Sequence, residues 1–134
     1  LGERGYIQTW QDTQLVAGEL WEDRIMEELG QADIVLLLYS TASRASKFIQ
    51  KTEGPGAVSR ARQKENPCTL IVVPLDRKDW DESVPLEKDL ETFQTATWNA
   101  LPVMDFKPQS RGWQEVEHAI REAVKKRRAA GKSV

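Results

Sequence analysis

Two uninterrupted apolar runs, "DIVLLLYS" over residues 33–40 and "TLIVVPLD" over residues 69–76, restrict what this chain can fold into more than anything else in it. A strand with one exposed face alternates apolar and polar residues, because successive side chains point to opposite sides. Neither run alternates, so both faces of each strand must be covered, as in a parallel sheet with helices above and below. Parallel neighbours cannot be joined by a tight hairpin and need a crossover of about a dozen residues or more. The stretch from Thr41 to Pro67 supplies one. The pair therefore reads as a βαβ unit and the fold class as α/β.

The flanking segments extend the pattern. Tyr6 to Trp10, "YIQTW", alternates like a further strand, and "QDTQLVAG" after it reads as a polar loop closed by a glycine. Leu20, Trp21, Ile25, Met26 and Leu29 then fall at helical spacing. Glu19, Glu22 and Asp23 occupy the first turn, where the helix dipole favours acids, and Gly30 marks the end. In the crossover, Gly54-Pro55-Gly56 opposes helix propagation, which predicts a kink or two short pieces. Asp76 to Ala100 is polar and punctuated by tryptophans, with a helix expected from Leu86 to Thr97. "LPVMDF" at residues 101–106 reads as a short edge strand. Trp113, Val116, Ile120, Ala123 and Val124 give an amphipathic last helix that starts after Ser110-Arg111-Gly112 and runs into a basic tail.

Composition narrows the function classes. A chain of 134 residues, 40% hydrophobic and 30% charged, is long enough for one core and too short for two ordinary domains. We expect a single domain over residues 1–128 and a flexible basic tail over 129–134. A formal charge of -2 argues against a general binder of nucleic acid, and the basic stretch "KKRRAAGK" reads as a solvated helix end. The longest apolar run, Ile34 to Tyr39, is far below a bilayer-spanning length, and no charged-then-apolar leader opens the sequence. Neither membrane insertion nor secretion is expected. Cys68 is the one cysteine, which excludes an intrachain disulfide and a cysteine-based zinc cage and suits a reducing cytoplasm. His118, the one histidine, lies off the apolar stripe of the last helix, which argues against a Ser-His-Asp relay.

In order along the chain stand Gly5-x-Ile7-x-x-Trp10-x-Asp12, then Gly18-Glu19-x-Trp21-x-x-x-Ile25, then Ala32-Asp33-Ile34 through Ser40. This succession resembles bacterial Toll/interleukin-1 receptor (TIR) domains. Ser40 and Ser46 precede Glu53 at a spacing similar to the family's, "IVVPLDRKDW" is similar to its fourth strand with the following Trp, and "LP" before a Trp and a last helix resembles its end. The likeness runs from Gly5 to about Val124. It implies a three-layer, flavodoxin-like, doubly wound parallel sheet. It also implies that the family's first strand and helix have no counterpart here. In that order the first strand lies between the second and the third, so a sheet without it would have unpaired edges in its middle. We therefore expect roughly thirty further residues upstream in the complete protein, the size of one strand-helix unit, and an accompanying domain. A receiver-like domain shares the strand pattern, but it needs a phospho-accepting Asp after an early strand, whereas Asp33 precedes its strand.

The resemblance also implies a chemistry. Many bacterial TIR domains cleave the nicotinamide-ribose bond of NAD with one glutamate on the crossover, and Glu53 occupies the matching position. NAD would be a substrate, with no cofactor and no metal. Ser40, Ser46, Phe48, Trp10 and Asp12 would line the substrate pocket, and Thr13, Gln14, Leu15, Val16, Ala17 and Gly18 would form the loop used for homotypic self-association. A setting in bacterial antiphage defence follows from the same likeness. A plainer reading stands beside each assignment. Trp10, Trp21 and Phe48 suit core packing, Asp12 suits a turn, and Ser40 and Ser46 suit helix caps. Glu53 runs into Gly-Pro-Gly where family members continue into unbroken helix, so a displaced or exposed carboxylate is its alternative. A non-catalytic module that assembles with other TIR domains is the second class of function.

Overall fold

The computed structural model describes residues 20–76, 79–132 and 134, with the side chains of residues 20–22 also left aside. The expected strand at Tyr6 to Trp10, Asp12 and the loop Thr13 to Gly18 lie outside the described residues. Helix α1 (Leu20–Gln31) leads into strand β1 (Ile34–Tyr39). The crossover holds α2 (Thr41–Ala45), a π-helical turn (Ile49–Glu53) and α3 (Gly54–Ala61). After β2 (Thr69–Pro74) come α4 (Pro85–Leu90), β3 (Gln94–Thr95), two single 3-10 turns and α5 (Gln109–Ala129). The sheet is parallel in the order β1-β2-β3, with Ile34 opposite Thr69 and Ile71 opposite Gln94.

The unbroken apolar run of β2 has the cause inferred for it, cover on both faces, and β1 shares that cover in part. On one face Leu37 and Tyr39 of β1 and Leu70 and Val72 of β2 meet Leu29 of α1, Ala57 and Val58 of α3, and Leu86 and Leu90 of α4. On the other, Ile71 and Val73 meet Val116, Ala119, Ile120, Ala123 and Val124 of α5. Ile71, Val72 and Val73 are fully shielded from water, and each such side chain contributes about 1.5–3 kcal/mol. This is the three-layer, flavodoxin-like α/β arrangement. Among the described residues β1 pairs only with β2, and by its register the backbone groups of Ile34, Leu36 and Leu38 face the other way. Leu38 is 48% exposed.

Several local expectations need correcting. The helix expected over Leu86 to Thr97 stops at Leu90, where the Thr92 hydroxyl donates to the Asp89 carbonyl at 2.7 Å and closes the turn. Gln94 and Thr95 then join the sheet as its third strand. The expected edge strand in "LPVMDF" is a 3-10 turn, Val103–Asp105, whose Met104 amide donates to the Leu75 carbonyl across the end of β2. Trp113 is 44% exposed. Its expected place on the buried stripe belongs to Gly112, where any side chain would meet the Phe106 ring at 2.8 Å. The basic stretch is not uniformly solvated either. Arg127 is buried, donating to the Pro67 carbonyl and the Thr69 hydroxyl at 3.1 Å each, with Asp33 at 3.7 Å. It ties the end of α5 to the start of both long strands.

The break in the crossover falls at Ser46, whose backbone is extended, and not at Gly-Pro-Gly. Gly54 closes the π turn: its amide reaches back five residues to the Ile49 carbonyl. That geometry leaves no room for a side chain, because a Cβ there would lie 2.5 Å from the Ile49 oxygen and 2.4 Å from Leu86 Cδ2. Pro55 follows directly after it at the start of α3. Gly54→Ala is expected to lower stability by about 1–3 kcal/mol, since backbone must shift to admit the methyl. Gly56→Ala should cost much less, because its new Cβ meets the flexible end of Met26. Urea midpoints of the two variants check the contrast.

Candidate functional site

The carboxyl ends of the strands are where open α/β sheets take ligands, and here the chain gathers its densest polar chemistry. Ser40 directly follows β1 and caps α2. Its hydroxyl accepts from the Ser43 amide at 3.2 Å, while the Ser43 hydroxyl accepts from the Ser40 amide at 2.9 Å. Asp76, after β2, holds the same helix start by accepting from the Thr41 amide at 2.8 Å. Ser46 caps the second helical piece, its hydroxyl accepting from the Ile49 amide at 3.2 Å. Both serines thus have the capping role that was their alternative. Phe48 precedes the π turn and is half-buried. Glu53, last residue of that turn, is half-buried as well. It stands one helical turn before Gly56, where a side chain would meet Met26 and Leu29 of α1.

Sequence reasoning missed the centre of this region. Glu87 of α4 is completely buried and accepts hydrogen bonds from three other segments. Tyr39, the last residue of β1, donates its hydroxyl at 2.7 Å. Arg44 of α2 donates through Nε at 2.6 Å to one carboxylate oxygen and through Nη2 to the other. The Asp81 amide donates at 2.9 Å. The Tyr39 hydroxyl in turn accepts from Gln50 Nε2 at 2.8 Å, and the same amide group donates to the Ser43 carbonyl at 3.1 Å. Trp80 meets the Tyr39 ring edge-on, centroids 5.6 Å apart. One signal was available: Glu87 falls between Leu86 and Leu90 on the buried stripe of its helix, where a carboxylate needs partners to be tolerated.

The electrostatics follow from this wiring. Burial alone would raise the Glu87 carboxyl, but the hydrogen bonds from Arg44, the Asp81 amide and Tyr39 outweigh it and hold the group below its ordinary range. Burial and the bond to Glu87 push the Tyr39 hydroxyl up to about 12. Glu87 is thus an ionised carboxylate inside the fold, and Tyr39 a neutral donor to it.

Other features lie apart from the Glu87 network. A shallow groove of about 500 Å³ runs between β3 and α5, past Gln94, Arg111, Glu115 and His118. Trp98 and Met104, in the two 3-10 turns, are 77% and 60% exposed. Among the described residues no helix is long and apolar enough to cross a membrane, and no three His, Cys, Asp or Glu side chains gather to hold a metal ion.

Comparison with known proteins accords with this architecture. The family model described as TIR domain matches residues 1–101. A curated relative, the uncharacterized protein y4lF of Sinorhizobium fredii (strain NBRC 101917 / NGR234), is 30% identical over 135 residues, covering 98% of this chain and 37% of its own length. The chain thus spans little more than a third of that relative. No solved structure matches. With a parallel sheet covered on both faces and the family model matching three quarters of its length, the chain belongs to the TIR domain family.

Proposed function

We propose that this domain hydrolyses the nicotinamide-ribose bond of NAD when its copies assemble, with Glu53 as the catalytic carboxylate, and that it serves as an effector in bacterial immune signalling. The observation that carries the reading is the position of Glu53: half-buried, on a π turn at the carboxyl side of a parallel sheet, one turn from a fixed polar network. Cleavage of the N-glycosidic bond sends its electron pair to nicotinamide, which leaves neutral, and leaves oxocarbenium character on the ribose. A carboxylate beside the sugar stabilises that cation and accepts a hydrogen bond from a ribose hydroxyl. Water then adds to the anomeric carbon and releases a proton, giving ADP-ribose. Ser40 and Ser46 shape the rim as helix caps, and Phe48 offers a ring face to a base.

A second reading, a module that only assembles with like domains, is favoured by the exposure of Trp98, Met104 and Trp113 around the carboxyl end of the sheet. The test is to incubate the full-length protein with NAD at rising protein concentration and quantify nicotinamide. Turnover per protomer that climbs with concentration supports the enzyme. No nicotinamide at any concentration, with self-association seen by sedimentation, leaves the assembly module.

A further inference from the structure

The π turn is the least ordinary element of this fold, and three residues hold it open. We infer that Gln50, Gly54 and Pro55 together form a register device that fixes the direction of Glu53, with Gln50 as its positioning residue. A π turn carries one residue more than an α turn over the same rise, and such turns are rare and concentrated at functional sites. The extra residue rotates everything after it by about 100° relative to a regular helix.

On the near side, Gln50 is pinned by two bonds from one amide group, to the Tyr39 hydroxyl at 2.8 Å and the Ser43 carbonyl at 3.1 Å. Tyr39 is itself fixed by the buried Glu87. On the far side, Gly54 is pressed against Leu86, and Gly56 faces Met26 and Leu29, so the rotation of α3 is set by packing. Directly after Gly54, Pro55 has no amide hydrogen, and in a regular helix its ring would collide with the carbonyl four residues earlier, that of Lys51. A wider turn at that point would relieve such a collision. If the segment closed into an α-helix, Gln50 and Gly54 could not both keep their places, and Glu53, lying between them, would turn away by a large part of that angle.

The inference rests on the assignment of Glu53 proposed above, and its test separates the two. In the full-length protein, Gln50→Leu and the exposed substitution Pro55→Ala are compared with the wild type by amide hydrogen exchange over residues 47–57 and by NAD cleavage. Gln50→Leu is expected to speed exchange in the π turn at least about tenfold. It should lower kcat by about ten- to a hundredfold at nearly unchanged KM, the scale of an angstrom-level misplacement. Tyr39→Phe, which removes the same anchor from its other end, should reproduce the loss, and the double variant should be no worse than either single one. Pro55→Ala should lower kcat in the same direction while the protein stays folded. If the wild type cleaves NAD and Glu53→Ala abolishes this, but Gln50→Leu keeps full kcat, the register device is wrong and the catalytic reading stands. If the wild type does not cleave NAD, the catalytic reading fails, and exchange alone decides: unchanged protection over residues 49–54 in Gln50→Leu overturns the inference.

Discussion

Replacing Glu53 by glutamine is expected to lower NAD cleavage by about a hundred- to a thousandfold, the scale seen when one preorganised stabilising group is removed from an active site. Glutamine keeps the volume and planar shape of glutamate and can still hydrogen-bond a ribose hydroxyl. What it lacks is the negative charge, and that charge matters most when the sugar becomes cationic. The loss should therefore fall on kcat, with KM changed little, because an interaction made only in the transition state drops out of the rate and not out of substrate binding. Stability should move by less than about 0.5 kcal/mol, since the side chain is only half-buried and its volume is preserved. Nicotinamide release and a thermal melt, run on the same preparations, check both halves. Full activity in the glutamine variant removes Glu53 from the chemistry, and a collapsed melt shows that its role is in the fold.

How much of this was legible in the sequence depended on whether the signal was local. The two long strands announced themselves because β2 is covered on both faces and β1 over most of its length, the environment in which runs such as "IVLLL" and "LIVV" need not alternate. Their parallel pairing followed from the length of the crossover. β3 was missed because two residues, Gln94 and Thr95, carry no periodicity, and their strand state comes from the backbone of β2 beside them. Gly54-Pro55-Gly56 was read as a helix breaker, which is what those residues are in isolation. Here the first glycine is required by the close approach of Leu86 and of the Ile49 carbonyl, contacts that arise only in the assembled structure. Trp113 sat at the correct helical spacing for the core, one residue from the position that is in fact buried, and spacing alone cannot distinguish them. The Glu87 network was hidden for a different reason. Its members, Tyr39, Arg44, Gln50, Asp81 and Glu87, come from five segments, and no pattern in the chain joins them. Glu53, Ser40 and Ser46 came from resemblance, and the fold adds what resemblance did not: both serines cap helix starts, and the glutamate ends a π turn.

Glu87→Leu is expected to destabilise the domain by about 3 kcal/mol, seen as a melting temperature roughly 10 °C lower. Leucine matches the bulk of glutamate and suits the apolar side of α4, so the cost comes from what it abandons. The Tyr39 hydroxyl and the Asp81 amide lose their acceptor, and Arg44 loses both of its bonds. The figure sits at the low end for a broken buried pair because Arg44 keeps 30% of its side chain open to water and can turn outward. The difference between wild type and variant should also depend on pH, with a sign set at each end by one group. The Glu87 carboxyl titrates below its ordinary 4.5 in the folded protein, so its contribution is fully present above that value and is lost as pH falls through the folded one. The Tyr39 hydroxyl is raised from an ordinary 10 to about 12, so its contribution is fully present below 10 and is lost as pH rises toward 12. Urea midpoints of the two proteins should thus stay a constant distance apart between about pH 5 and 10, converge in acid, and narrow in alkali only by the share of the Tyr39 shift that the Glu87 bond supplies, because burial raises Tyr39 in both. A gap that does not narrow in acid would mean that Glu87 is held protonated. A leucine variant as stable as the wild type would mean that the desolvation of this carboxylate cancels its bonds, leaving the network to act through the placement of Gln50 and the turn that carries Glu53.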